Sequence, residues 1–214
     1  MNGKRIVIVT GGTLGPWVMD EIRQGDLLVG SDRGALFLLQ NGFVPDISLG
    51  DFDSVTEAEL ADIRAGSKAF LECDPIDKDL TDTEMAFNWA MEQQPAEITL
   101  LGALGTRFDH SLANIHLLRK GMELGIPCKI IDANNEVILI NSPTTIHKGR
   151  YTHVSLLPLS MEVTGITLNG FLYPLFQATL VVGQSLGISN VLLEQQGHIE
   201  LASGYLLVIQ SKDT

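Results

Sequence analysis

The chain reads as α/β: an N-terminal doubly wound, mostly parallel sheet domain over residues 1–133, then a C-terminal all-β sandwich domain over 134–214. Three observations predict this. Up to Asp132, apolar runs of strand length alternate with helix-length amphipathic stretches. Most of those strands run straight into loops rich in glycine or aspartate, as strand ends at the ligand edge of an open sheet do. Beyond Ala133-Asn134-Asn135 the helical period vanishes. Short strand-like runs remain, punctuated by Asn169-Gly170, Gly183, Gly197 and Ser203-Gly204.

The elements follow in order. Arg5 to Val9 is a buried strand, and Thr10-Gly11-Gly12-Thr13-Leu14-Gly15-Pro16 is a glycine turn with a helix-starting proline. That turn is either a phosphate cradle or a tight βα turn without a ligand, since neither GxGxxG nor GK[ST] is present. Leu27 to Gly30 is a strand, and Ala35 to Asn41 a helix stopped by Gly42. Asp32 between them is either a site carboxylate or an N-cap. Ile47-Ser48-Leu49 breaks into Gly50-Asp51-Phe52-Asp53-Ser54, which sets two carboxylates two residues apart. Such a pair calls for a cation, and a hard divalent ion such as Mg2+ fits oxygen ligands.

Thr56 to Ala65 is a polar helix and Lys68 to Leu71 a strand. Thr81 and Glu84 form a capping box for the helix through Met91, which leaves Lys78 and Asp79 without a structural account. Glu97 to Leu101 is a strand that ends in Gly102-Ala103-Leu104-Gly105-Thr106-Arg107-Phe108-Asp109-His110. The helix Ser111 to Leu124 follows, with Leu112, Ile115, Leu118 and Met122 as its expected buried stripe. Arg107 suits a phosphate or its neighbour Asp109. Cys128 to Asp132 closes this half. The second half holds strands over 136–140, 152–158, 162–168, 178–182, 187–193, 198–201 and 205–209.

Composition narrows the partners. With 26 acidic against 14 basic residues, a net charge of −12 argues against nucleic acid and anionic membrane. An anionic substrate would need a metal or local bases. Cys73 and Cys128 lack metal-type spacing and read as reduced thiols. The apolar run after the N-terminal Met1-Asn2-Gly3-Lys4-Arg5 is too short for a signal peptide. No stretch nears the ~20 residues of a membrane span, so a cytoplasmic protein is expected.

Asp32, Asp51, Asp53, Asp79 and Asp82 all fall where βα strands end, with Lys78 and Arg107 at the same edge. In a doubly wound sheet they converge on one acidic site, a layout for a metal-chelated polyphosphate. Asp51-Phe52-Asp53-Ser54-Val55 also fits D-x-D-x-[TV], the nucleophile motif of haloacid-dehalogenase-type phosphatases, with Asp51 as nucleophile. Two strands precede it here, and that reading leaves the β-domain unexplained. A non-catalytic nucleotide-binding regulator is a further alternative.

The motifs taken together resemble the thiamine pyrophosphokinase family. They are Ser31-Asp32-Arg33-Gly34-Ala35, GDFDS over 50–54, K-D-x-T-D over 78–82, the 102–110 loop, and Leu172-Tyr173-Pro174-Leu175 with Gly187-Ile188-Ser189-Asn190. The resemblance implies transfer of pyrophosphate from ATP to thiamine, giving AMP and thiamine diphosphate. It also implies a homodimer with active sites shared between subunits. By position, Asp51, Asp53 and Asp82 would hold Mg2+, while Gly11, Gly12, Thr13, Asp32 and Gly34 would line the nucleotide pocket. Lys78, Asp79, Arg107 and Asp109 would serve catalysis, and Ser189 and Asn190 the thiamine site. Where the family commonly reads A-D-G-G-A-N this chain departs with Arg33 and Leu36. Its tryptophans, Trp17 and Trp89, both lie in the first domain, so Tyr173 is the candidate to stack on the thiamine pyrimidine.

Overall fold

The structure, a computed structural model, describes residues 3–72 and 80–213. It divides into two compact units, Met1–Ala133 and Asn134–Thr214.

In the first unit β1 (Arg5–Val9), β2 (Leu27–Ser31), β3 (Ile47–Gly50), β4 (Phe70–Glu72), β5 (Glu97–Leu101) and β6 (Cys128–Ile131) form a sheet in the order β4-β3-β2-β1-β5-β6. Every pairing in it is parallel. The chain winds outward from β1 to β4, then returns to place β5 on the other side of β1. The switch point of the sheet therefore lies between the C-terminal ends of β1 and β5, where such folds open a crevice.

Consecutive residues of β1 are sealed: Ile6, Val7, Ile8 and Val9 are all at most 1% exposed. A strand buried on both faces needs helices on both faces. Val7 and Val9 pack with Val18 of α1 (Trp17–Glu21) and Leu38 of α2 (Arg33–Gln40). A neighbouring cluster joins Ala35 and Leu36 to Phe52 and to Ile63 of α3 (Glu57–Gly66). Phe52 stacks on Phe70 with ring centroids 5.0 Å apart, which anchors the loop that carries Asp51 and Asp53.

The helix starts are built locally. Thr56 and Glu59 make a full capping box at α3. At α4 (Asp82–Glu92) only half of the expected box forms. Thr81 accepts from the Glu84 amide, but the Glu84 carboxylate pairs with Lys120 of α5 (Phe108–Glu123) instead. The buried face of α5 is Ser111, Asn114, Leu117, Leu118 and Gly121. Of the expected stripe only Leu118 is buried, and Leu112 is 41% exposed. The helix turns small and polar residues toward the sheet because its first turn borders a cavity.

In the second unit β7 (Asn135–Ile140), β13 (Leu206–Ser211) and β9 (His153–Pro158) pair antiparallel. A four-stranded sheet has the order β11-β10-β12-β8, from Ala178–Val181, Glu162–Asn169, Gln196–Glu200 and Thr144–His147. One core joins the two sheets, with Val154, Leu156, Leu206 and Val208 facing Val163, Ile166, Leu168, Ile146 and Ile199. The all-β sandwich is thus present, with two differences in its strands. β8 was not expected, and residues 187–193 form only isolated bridges, Val154 to Asn190 and Phe171 to Leu192. Ser189 has φ +58°, which interrupts an extended run at its centre.

Candidate functional site

A cavity of about 620 Å³ opens at the switch point of the parallel sheet. Its walls are the strand-end loops after β1 (Thr10, Gly11, Gly12), β2 (Ser31, Asp32), β3 (Asp51, Asp53) and β5 (Gly102 to Arg107), with the first turns of α4 and α5. Volumes of this order suit a small cofactor or nucleotide.

The acidic residues converge there. One carboxylate oxygen each from Asp32, Asp51 and Asp53 lies within 4.8 Å of the others. Asp82 stands beside this trio, its Oδ1 accepting the Asp51 amide at 3.1 Å. The Asp53 amide in turn donates to Asp51 Oδ1 at 3.1 Å. Phe52 between them takes φ +55°. The left-handed residue turns the loop so that both flanking carboxylates face the crevice.

Asp32 is held the other way up from a capping residue. It precedes α2 with φ +51°, and its side chain makes no cap hydrogen bond. The Ser54 hydroxyl donates to its Oδ2 at 2.6 Å. Its Oδ1 is buried and takes no hydrogen bond among the described residues. Burial, joined by the negative charges of Asp82 and Asp53, pushes the Asp32 carboxyl above the usual carboxylate range, against the pull of the Ser54 bond. Clustered carboxylates, one with an orphaned oxygen, form a donor set that a hard divalent cation fits. The trio differs in one member from the set the motifs imply: Asp32 is inside it and Asp82 is alongside.

Two expected phosphate-cradling groups are already engaged. The amides of Gly12 and Thr13 donate to the carbonyls of Gly102 and Leu104, both at 2.9 Å. A Cβ on Gly12 would sit 2.2 Å from the Gly102 oxygen, so this glycine serves the joining of two loops. Gly11 does line the cavity, and Thr13 does not. Gly34 is buried in the first turn of α2, where a Cβ would meet the Val9 carbonyl oxygen at 1.9 Å; it is a packing glycine away from the cavity wall.

Arg107 reaches the cavity wall but is paired with Asp109 at 2.7 Å, both side chains well exposed. The Arg107 hydrogen bond, helped by the His110 amide, holds the Asp109 carboxyl below the usual range, and Asp109 in turn raises Arg107. Asp109 thus anchors the Arg107 guanidinium. Lys78 and Asp79 lie outside the described residues.

In the second unit, Asn190 is 5% exposed and fully committed. Its Oδ1 accepts the Tyr173 amide at 3.0 Å and the Val191 amide at 2.8 Å, while its Nδ2 donates to the Tyr173 carbonyl at 2.7 Å. Asn190 thereby fixes the backbone of Tyr173, whose ring is 61% exposed. The Ser189 amide donates to Ser155 Oγ at 3.0 Å, which holds the turn.

Lining residues without a charge or a glycine escaped the sequence reading. Asn114 donates to the Ala103 carbonyl at 2.8 Å, and Thr83 bonds Thr10 at 3.1 Å. The signal for them was weak but present: polar residues at helix positions that the amphipathic period turns inward.

Fold and crevice together define a class: an enzyme built from a parallel α/β unit and a β-sandwich, with an acid-lined crevice suited to phosphate transfer. Comparison with known proteins narrows it. Residues 18–130 match the family model described as thiamin pyrophosphokinase, catalytic domain, and residues 143–206 match its vitamin B1 binding domain. The chain belongs to the thiamin pyrophosphokinase family, and it is a transferase. It is 37% identical to a thiamine pyrophosphokinase of Bacillus subtilis (strain 168), over 98% of this chain and 100% of that one. The crystal structure of a Bacillus subtilis thiamine pyrophosphokinase superposes with TM-score 0.92 at 35% identity, covering 99% and 100% of the two chains. That of a Geobacillus thermodenitrificans thiamin pyrophosphokinase gives 0.89 at 35%, covering 98% of each. The phosphatase and regulator readings find no support in these matches.

Proposed function

We propose that this chain transfers pyrophosphate from ATP to the hydroxyl of thiamine, releasing AMP, in the cavity at the sheet's switch point. The observation that carries the proposal is the convergence of Asp32, Asp51 and Asp53 within 4.8 Å at that cavity. Carboxylates so placed repel a bare polyphosphate, so they serve one that arrives with Mg2+. Asp32, Asp51 and Asp53 would hold the cation, with Asp82 adjoining. The cation supplies charge neutralisation for the phosphates.

The thiamine oxygen bonds to the β-phosphorus as the bond from that phosphorus to the α,β-bridging oxygen breaks, and the hydroxyl proton passes to a base. The chain contributes positioning and electrostatics. Arg107, held by Asp109, presents its guanidinium at the cavity wall to charge that develops on phosphate oxygens. Asp79 or Asp109 takes the hydroxyl proton, and Lys78 is a second cation; Lys78 and Asp79 lie outside the described residues. Gly11 keeps the nucleotide wall bare. Tyr173, carried by Asn190 and the Ser189 turn, offers an aromatic face to thiamine.

A cytoplasmic homodimer with shared active sites completes the proposal. Supporting it are the free thiol of Cys128 and the exposed apolar side chains Leu172 (44%), Phe176 (84%) and Leu193 (60%) of the second unit. Among the described residues no helix is long and apolar enough to cross a membrane. Light scattering after size exclusion tests the dimer.

The deciding experiment incubates the protein with Mg-ATP and thiamine and identifies the products. AMP with thiamine diphosphate supports the proposal. ADP with thiamine monophosphate would mean ordinary γ-phosphoryl transfer and would overturn it.

A further inference from the structure

Ser31 ends β2 at the floor of the cavity. Its side chain is 1% exposed, yet its Oγ has no hydrogen-bond partner among the described residues. A buried hydroxyl without a partner carries a desolvation cost with no return, and such groups in native proteins call for an explanation.

The other polar side chains around it are committed. Thr83 donates to Thr10 at 3.1 Å, Asn114 donates to Ala103, and the Ser111 hydroxyl donates to the Arg107 carbonyl at 3.1 Å. The amides of Gly12 and Thr13 are spent on carbonyls. These groups are not open to a ligand in a cavity rich in carboxylate oxygens.

The next residue, Asp32, leaves the complementary atom unpartnered. Its buried Oδ1 is an acceptor, and the Ser31 hydroxyl is a donor. An open donor and an open acceptor on consecutive residues of the cavity wall match a ligand with both characters. An anionic phosphate oxygen takes the donor, and a cation travelling with that phosphate takes the carboxylate.

We propose that the Ser31 hydroxyl binds substrate, donating a hydrogen bond to a phosphate oxygen of the cation-bound nucleotide. This rests on the nucleotide reading of the cavity given above. Ser31 is then an uncharged binding residue that stands beside the carboxylate of Asp32 in the sequence. It also leaves the free protein slightly less stable than an alanine would.

Two measurements on Ser31→Ala test the inference: titration calorimetry with Mg2+ and a non-hydrolysable ATP analogue, and thermal unfolding without ligand. The expected result is Kd raised about 10-fold, the range of a hydrogen bond to a charged acceptor, with an unliganded Tm equal to or above that of the wild type. A lower unliganded Tm overturns the inference, because the hydroxyl would then be structural. Wild-type binding matched by the variant overturns this inference alone. Failure of the wild type to bind the analogue overturns the nucleotide reading and this inference with it.

Discussion

The backbone amide of Asp51 donates to Asp82 Oδ1 at 3.1 Å. Asp82 opens α4 and Asp51 follows the last residue of β3, so one bond ties a helix start to the loop that carries two site carboxylates. Through this bond Asp82 sets where Asp51 stands. Asp51→Asn and Asp53→Asn should each lower turnover by orders of magnitude and leave far-UV circular dichroism and Tm near wild type. Asp82→Asn keeps an oxygen for the Asp51 amide, whereas Asp82→Ala loses it. The alanine variant should fall about 100-fold in kcat/KM, and the asparagine variant clearly less. Equal losses would show that the charge of Asp82, not its positioning bond, matters.

Asn190 and Tyr173 are neighbours with separable duties. Asn190→Ala strands two part-buried amides and a carbonyl, and should cost about 2 kcal/mol in a urea melt. Tyr173→Ala removes an exposed ring. It should leave Tm unchanged and raise KM for thiamine several-fold. If Tyr173→Ala leaves KM unchanged, the ring does not face the substrate.

Gly34 distinguishes packing from binding. An alanine there places its Cβ 1.9 Å from the Val9 carbonyl oxygen, and neither backbone can yield cheaply. Gly34→Ala should destabilise the fold by about 3 kcal/mol. Whatever remains folded should bind the nucleotide analogue normally. A stable variant with weakened binding would place Gly34 at the ligand.

Acid stability has an identifiable source in the Arg5–Asp26 pair, at 2.6 Å with side chains 10% and 6% exposed. Burial works to raise the Asp26 carboxyl, but the Arg5 hydrogen bond, the Arg23 amide and the positive charges of both outweigh it and hold it below its ordinary value. The lowered native pKa means that this stabilisation is complete above the unfolded carboxyl's pKa. It is lost as pH falls through the native one. Asp26→Asn should cost about 2 kcal/mol at neutral pH. The gap to wild type should narrow steadily below about pH 4. A gap that stays constant down to pH 2 would rule out this pair as the source.

The parallel half was legible because its strands are apolar on both faces and end in charged loops. Arg5 to Val9 and Glu97 to Leu101 left little choice. Asp32, Asp51 and Asp53 were legible for the same reason: topology alone gathers strand ends. What escaped depends on contacts far apart in sequence. Nothing near Gly12 announces that Gly102 will take its amide. Nothing near Glu84 tells that Lys120 will draw it from its cap. In the β half, Thr144 to His147 is too short and polar to stand out, yet Ile146 reaches the core. Residues 187–193 have strand composition, but Ser189 turns left-handed within them. The sequence hid Ser31 differently, since a serine at a strand end looks ordinary until its burial and its missing partner are seen together.

Asp32 sits at φ +51°, a conformation that costs a non-glycine residue roughly 1–3 kcal/mol. It also crowds its charge against Asp53 and Asp82. Glycine would relieve both burdens at once. A laboratory selection that rewarded heat resistance alone would be drawn to this position and would blunt the catalyst as it hardened the protein. A strained point of the backbone and a carboxylate of the proposed site are the same residue.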